Sequence, residues 1–98
     1  MIASRSDTIE SPRTSGPNSG LGNAARVIVL NDDHNTFEGV AVALARVVPG
    51  VDVGAGMRLA TTIHVEGRAV VWSGEFEVAE LYCEQLAGMG LTMAPIER

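Results

Sequence analysis

Lysine is absent from this 98-residue chain, cysteine occurs once and aromatic residues make up only 4% of it. Each shortage excludes something. All 7 basic residues are arginines, set against 12 acidic ones, for a formal net charge of −5 and a pI near 4.8. A chain of that balance is poorly suited to tracking nucleic-acid phosphates, where affinity comes from clustered basic contacts. The lone Cys83 permits neither an intrachain disulfide framework nor a cysteine-built zinc site, and fits a reducing, cytoplasmic compartment. No apolar run approaches the roughly 20 residues of a membrane helix. The opening Met1-Ile2-Ala3-Ser4-Arg5 lacks the apolar stretch of a signal peptide. The expectation is a protein without membrane or nucleic-acid partners, and without cofactor or metal.

What is present suffices for one domain. The chain is 46% hydrophobic and 19% charged, with mean hydropathy +0.18. Ser, Thr, Gly, Pro and Asn dominate residues 1–24, as in Thr14-Ser15-Gly16-Pro17-Asn18-Ser19-Gly20, and the few apolar residues there have no period. Such a segment cannot bury enough surface to offset about 1–2 kcal/mol of backbone ordering per residue, so it reads as a disordered N-terminal extension. The folded part is then residues 25–98. A core of that size hides only about 60% of its unfolded surface.

Arg26-Val27-Ile28-Val29-Leu30 is a β-branched run that reads as a strand. The polar cluster Asn31-Asp32-Asp33-His34-Asn35 closes it, and Asn35 with Glu38 suggests a capping box. Phe37, Val40, Ala41, Leu44 and Val47 follow at helical spacing until Pro49-Gly50. Asp52 is placed to cap a second helix with Val53, Met57, Ala60 and His64 on one side, Ile63 alongside and Gly67 at its end. Arg68–Trp72 reads as a strand and Ser73-Gly74 as a turn. A third helix begins near Glu75 with the stripe Phe76, Ala79, Cys83 and Leu86. Leu91–Ile96 is a closing strand that Pro95 confines to an edge. The order is β-α-α-β-α-β. It implies an α+β domain, a three-stranded, largely antiparallel sheet with three helices over one face.

Asn and Asp are ordinary turn residues, yet an antiparallel second helix would return His64 to the Asn31-Asp32 corner. An ammonium group has three donors and no acceptor. An amide oxygen, a carboxylate and a neutral imidazole suit it, and its positive charge strengthens the bonds. Phe37, Val40, Ala60 and Ile63 can form an apolar hollow beside these acceptors, the general form of a peptide site.

Three segments resemble the ClpS family, the bacterial adaptors that deliver N-degron substrates to the Clp protease. Val27–Asp33 is similar to the family's strand ending in Asn-Asp-Asp. Ile63-His64-Val65-Glu66-Gly67-Arg68-Ala69-Val70 resembles its His-x-x-Gly-Lys/Arg-Ala segment, and Glu77-Val78-Ala79-Glu80 its helix start. Spacing and element order agree over residues 26–98. The resemblance implies that Asn31, Asp32 and His64 bind the α-amino group of a substrate whose first residue is Leu, Phe, Tyr or Trp. It implies that the neighbouring pocket takes that side chain and that the chain is not an enzyme. It further implies that the helix carrying Glu77, Glu80 and Tyr82 docks on the N-terminal domain of a ClpA- or ClpC-like AAA+ unfoldase, which also engages the N-terminal extension. The chain departs from the family's pattern at Phe37 and Ala60, where methionines are usual, and at Tyr82, where a basic residue is common. The usual leucines are also missing around Leu91-Thr92-Met93.

Other readings use the same residues. Cys83 with His64 or His34 would be a nucleophile and base, but Cys83 falls on an apolar stripe. Asp32, Asp33, His34 and His64 contain zinc-ligand types, although adjacent Asp32 and Asp33 would point apart. A binding module without N-degron specificity is the remaining alternative. The same element order also resembles the C-terminal domain of the ribosomal stalk protein L7/L12, and fold does not fix function.

Overall fold

The computed structural model describes residues 24–98, so the expected disordered extension lies outside the described residues, except for Ala24. The elements follow the expected order: β1 (Ala25–Leu30), α1 (Phe37–Val47), α2 (Val53–Glu66), β2 (Arg68–Gly74), α3 (Phe76–Gly88) and β3 (Thr92–Met93). The sheet order is β2-β1-β3, with β1 antiparallel to both neighbours. Ala25, Val27 and Val29 alternate onto the inner face of β1 and are buried. Leu44, Ile63, Val71 and Leu86 from the other elements complete that core. None of the helices among the described residues is long and apolar enough to cross a membrane.

The outer face of the sheet mixes apolar residues, Ile28 paired with Val70, with charged ones. Arg26 and Arg68 both reach Glu97, at 3.5 and 2.8 Å. The strand register puts Arg68 beside Leu30, and a bridge puts Glu97 beside Arg26. The line between them crosses Ile28, which is fully buried though it lies outside the main core cluster. Arginine stems can cover apolar surface in this way while their heads stay in water.

Local chemistry explains where the elements start and stop. Asp52 Oδ1 accepts the Ala55 N–H at 2.8 Å, and Gly67 ends α2 with φ 88°, a left-handed conformation that glycine adopts without penalty. Four expectations need correction. Thr36, not Asn35, caps α1, its Oγ1 accepting from the Gly39 N–H at 2.9 Å, because the Asn35 side chain is drawn instead to Asp32 and Gly90. Ser73 and Gly74 continue β2 opposite Arg26 and Ala25. There the Trp72 indole folds over Gly74, where a Cβ would collide with it, and meets Tyr82 edge-on at 4.9 Å. The closing strand pairs only at Thr92 and Met93, with one further bridge at Glu97, since Pro95 has no N–H for the ladder. Val53 is 52% exposed rather than on the buried side of α2.

Candidate functional site

The polar corner after β1 and the last turn of α2 meet. The Asn31 N–H donates to the Gly67 carbonyl at 2.9 Å, which sets the end of α2 beside the start of the β1–α1 loop. Between them lies a cavity of about 230 Å³. Asn31, Asp32 and His64 line it, as do Phe37, Val40, Ala60 and Ile63, so all seven residues expected at the site stand around one hole. Val40, Ala60 and Ile63 are buried and supply apolar wall. Phe37 is 39% exposed and packs against the His64 imidazole, ring centroids 5.2 Å apart at 57°. It is therefore rim rather than core. The wall also includes Val29, Leu30, Asp33, Asn35, Thr36 and Leu91, which periodicity alone could not assign because they come from strand ends and turns.

Asp32 does not face the cavity with free lone pairs. Its Oδ1 accepts the backbone N–H groups of His34 and Asn35 at 3.0 and 2.8 Å. Its Oδ2 accepts the Asn35 side-chain amide and the Thr92 hydroxyl, both at 2.8 Å. A carboxylate offers about four lone-pair positions, and all four are engaged. The two Asn35 bonds above all, helped by Thr92 and His34, hold its carboxyl well below the usual carboxylate range. The sign follows. The folded state favours the ionised form, so this contribution to stability is present at neutral pH and is lost as pH falls below the ordinary carboxylate range.

The charge around the hole is negative. The α2 C-terminus and the α1 N-terminus both border it, and their partial charges of about −0.5 and +0.5 largely oppose each other. Asp32 and the exposed Asp33, each a full negative charge, therefore set the sign. Among the described residues, no arginine lines the cavity.

The other expected residues lie elsewhere. Glu77 and Glu80 share a groove of about 600 Å³ on α3 with Leu81, Cys83 and Glu84. Tyr82 does not line that groove; it is half-buried against Trp72. Cys83 is in a different depression from either histidine, and burial pushes its thiol up, away from the thiolate a nucleophile needs. Among the described residues no three His, Cys, Asp or Glu side chains are grouped to hold a metal ion.

The family model for the ATP-dependent Clp protease adaptor protein ClpS matches residues 22–94. The chain belongs to the ClpS family. It is 51% identical over 72 residues to the ClpS adapter of Thermosynechococcus vestitus, covering 74% of this chain and 77% of that one. It is 39% identical over 66 residues to the chloroplastic ClpS adapter of Arabidopsis thaliana, covering 67% of this chain and 42% of that one. Agrobacterium tumefaciens ClpS2, solved bound to L-phenylalaninamide, superposes with a TM-score of 0.70 at 30% identity, covering 76% of this chain and 96% of that one. The chain is thus an adaptor of the Clp protease system, with the β-α-α-β-α-β fold of ClpS.

Proposed function

We propose that this adaptor binds the free α-amino group and bulky hydrophobic first residue of substrate proteins, and delivers them to a Clp AAA+ unfoldase in the cytoplasm. One observation carries the reading: hydrogen-bond acceptors and apolar wall share a single cavity of about 230 Å³. Asn31 and His64 offer the ammonium an amide oxygen and an imidazole lone pair. Asp33 offers a carboxylate on the same wall, while Asp32 contributes charge and holds the loop. Leu, Phe, Tyr or Trp would enter between Phe37, Val40, Ala60 and Ile63. The phenylalaninamide bound by the Agrobacterium relative, a free amine beside a benzyl group, has the required chemistry. The adaptor itself breaks no bond. On this reading α3 docks on the unfoldase's N-terminal domain through Glu77 and Glu80, with Tyr82 behind them.

The test is fluorescence anisotropy with a peptide beginning in Phe, followed over pH. Saturable binding is expected at neutral pH, and its absence removes the proposal. Imidazoles gain a proton between about pH 5 and 8, and a protonated ring at position 64 has lost its acceptor and repels an ammonium. Affinity should therefore fall as pH drops through that range. A flat profile contradicts the role given to His64.

Ala60 sets the depth of the pocket. It is 3% exposed on the cavity wall, and Ala60→Met adds three heavy atoms there. The Trp-to-Leu affinity ratio for first residues should fall by about tenfold, in the range of size discrimination by apolar pockets. An unchanged ratio would show that the first side chain does not reach residue 60.

A further inference from the structure

The structure assigns Asn35 and Thr92 as positioning residues of the ammonium site: they clamp Asp32 between the β1–α1 loop and the turn leaving α3, and so fix how its neighbours Asn31 and Asp33 are presented. The inference rests on the ammonium-binding reading above and deepens it. The Asn35 side-chain amide donates to Asp32 Oδ2 at 2.8 Å and to the Gly90 carbonyl at 2.9 Å. The Thr92 hydroxyl donates to the same Asp32 oxygen at 2.8 Å. Gly90 and Thr92 are 55 and 60 residues away in sequence from the groups they bind. Both belong to the segment that leaves α3, with Gly90 turning the chain at φ 96°. The loop bearing the acceptors is therefore braced on one side by Gly67, through the Asn31 N–H, and on the other by Gly90 and Thr92.

A site that must aim several lone pairs at one small cation depends on such support. Asn31 and Asp33 flank Asp32, so holding its side chain fixes the peptide planes on both sides. Removing an outer partner of a metal ligand typically weakens binding by about 10–100-fold, and an ammonium held by directed lone pairs is the nearest analogue.

Anisotropy on the full chain, with a Phe-initiated peptide and its Nα-acetylated twin, separates the possibilities. Thr92→Val keeps the shape and removes the donor; the free-amine peptide should bind about tenfold more weakly. Thr92→Ser, which restores the hydroxyl, should return affinity to within about twofold of the wild type. Asn35→Ala should reproduce the loss, and stands in for Thr92→Val if that variant does not fold. Wild-type affinity in Thr92→Val, or in Asn35→Ala in its place, overturns the assignment. So does a Thr92→Ser protein as weak as Thr92→Val, since lost packing rather than the lost donor would then be responsible. A wild-type chain that cannot tell the two peptides apart defeats the ammonium reading itself, a result distinct from these.

Discussion

Acetylating the first nitrogen of a Phe-initiated peptide should weaken its binding to this protein by at least about 100-fold. The α-ammonium brings a positive charge and three donors; the acetylated nitrogen keeps one donor and no charge. The wall it meets holds Asn31, Asp32, Asp33 and His64, with Asp32 held in its ionised form. Losing two charge-assisted hydrogen bonds, each contributing about 1.5–3 kcal/mol, removes about 3 kcal/mol or more, which is two decades in Kd. The acetyl group must also fit where N–H donors have been lost. Anisotropy with the two peptides measures the difference directly. Equal affinities would leave a hydrophobic pocket that does not read chain starts, which is how a diverged adaptor lacking N-degron specificity would behave.

The second large effect concerns stability. Gly56 is buried on α2 where that helix crosses α1, and a Cβ there would lie 2.6 Å from the Ala41 carbonyl oxygen and 2.9 Å from its Cα. Those atoms are backbone and cannot swing aside. Alanine is favoured over glycine inside a helix by about 1 kcal/mol. Forcing the helices apart should nevertheless outweigh that, making Gly56→Ala a net loss of about 1–3 kcal/mol. Gly56→Val should leave little folded protein, because a domain of this size has only about 4–11 kcal/mol in total. Urea unfolding of the two variants checks this. A midpoint for Gly56→Ala at or above wild type would show that the crossing can widen freely. Peptide affinity should drop with stability, since Val40 adjoins Ala41 on α1 and Ala60 follows Gly56 by one turn on α2.

Much of the fold and site was legible because its signals are local. Val27–Leu30 is a β-branched run that reads as a strand, Asp52 caps, and Gly67 terminates. From those alone α2 could be folded back to bring His64 to Asn31, and the cavity gathers the seven residues that reading required. What escaped it depends on distant partners. Asn35 resembles a helix cap until Gly90, 55 residues on, competes for its amide, and the cap passes to Thr36. Thr92 looks like one more residue of an edge strand, with no local sign that its hydroxyl reaches Asp32. Gly56 read only as a weak helix former, because the need for a missing side chain comes from Ala41 on another helix. Asp32 was expected to grip the ligand; four protein donors occupy its lone pairs, and on the proposed reading the contact is made by Asp33 instead.

The hole itself has a further consequence. A chain with this little interior leaves about 230 Å³ of it unfilled, bordered by Val40, Ala60 and Ile63. On the proposed reading, the missing piece of hydrophobic interior arrives with each client. Because only the folded adaptor can hold that piece, its resistance to unfolding becomes linked to client abundance by mass action. An idle adaptor is then the fragile form and a loaded one the durable form, so the same cavity that selects cargo also registers supply.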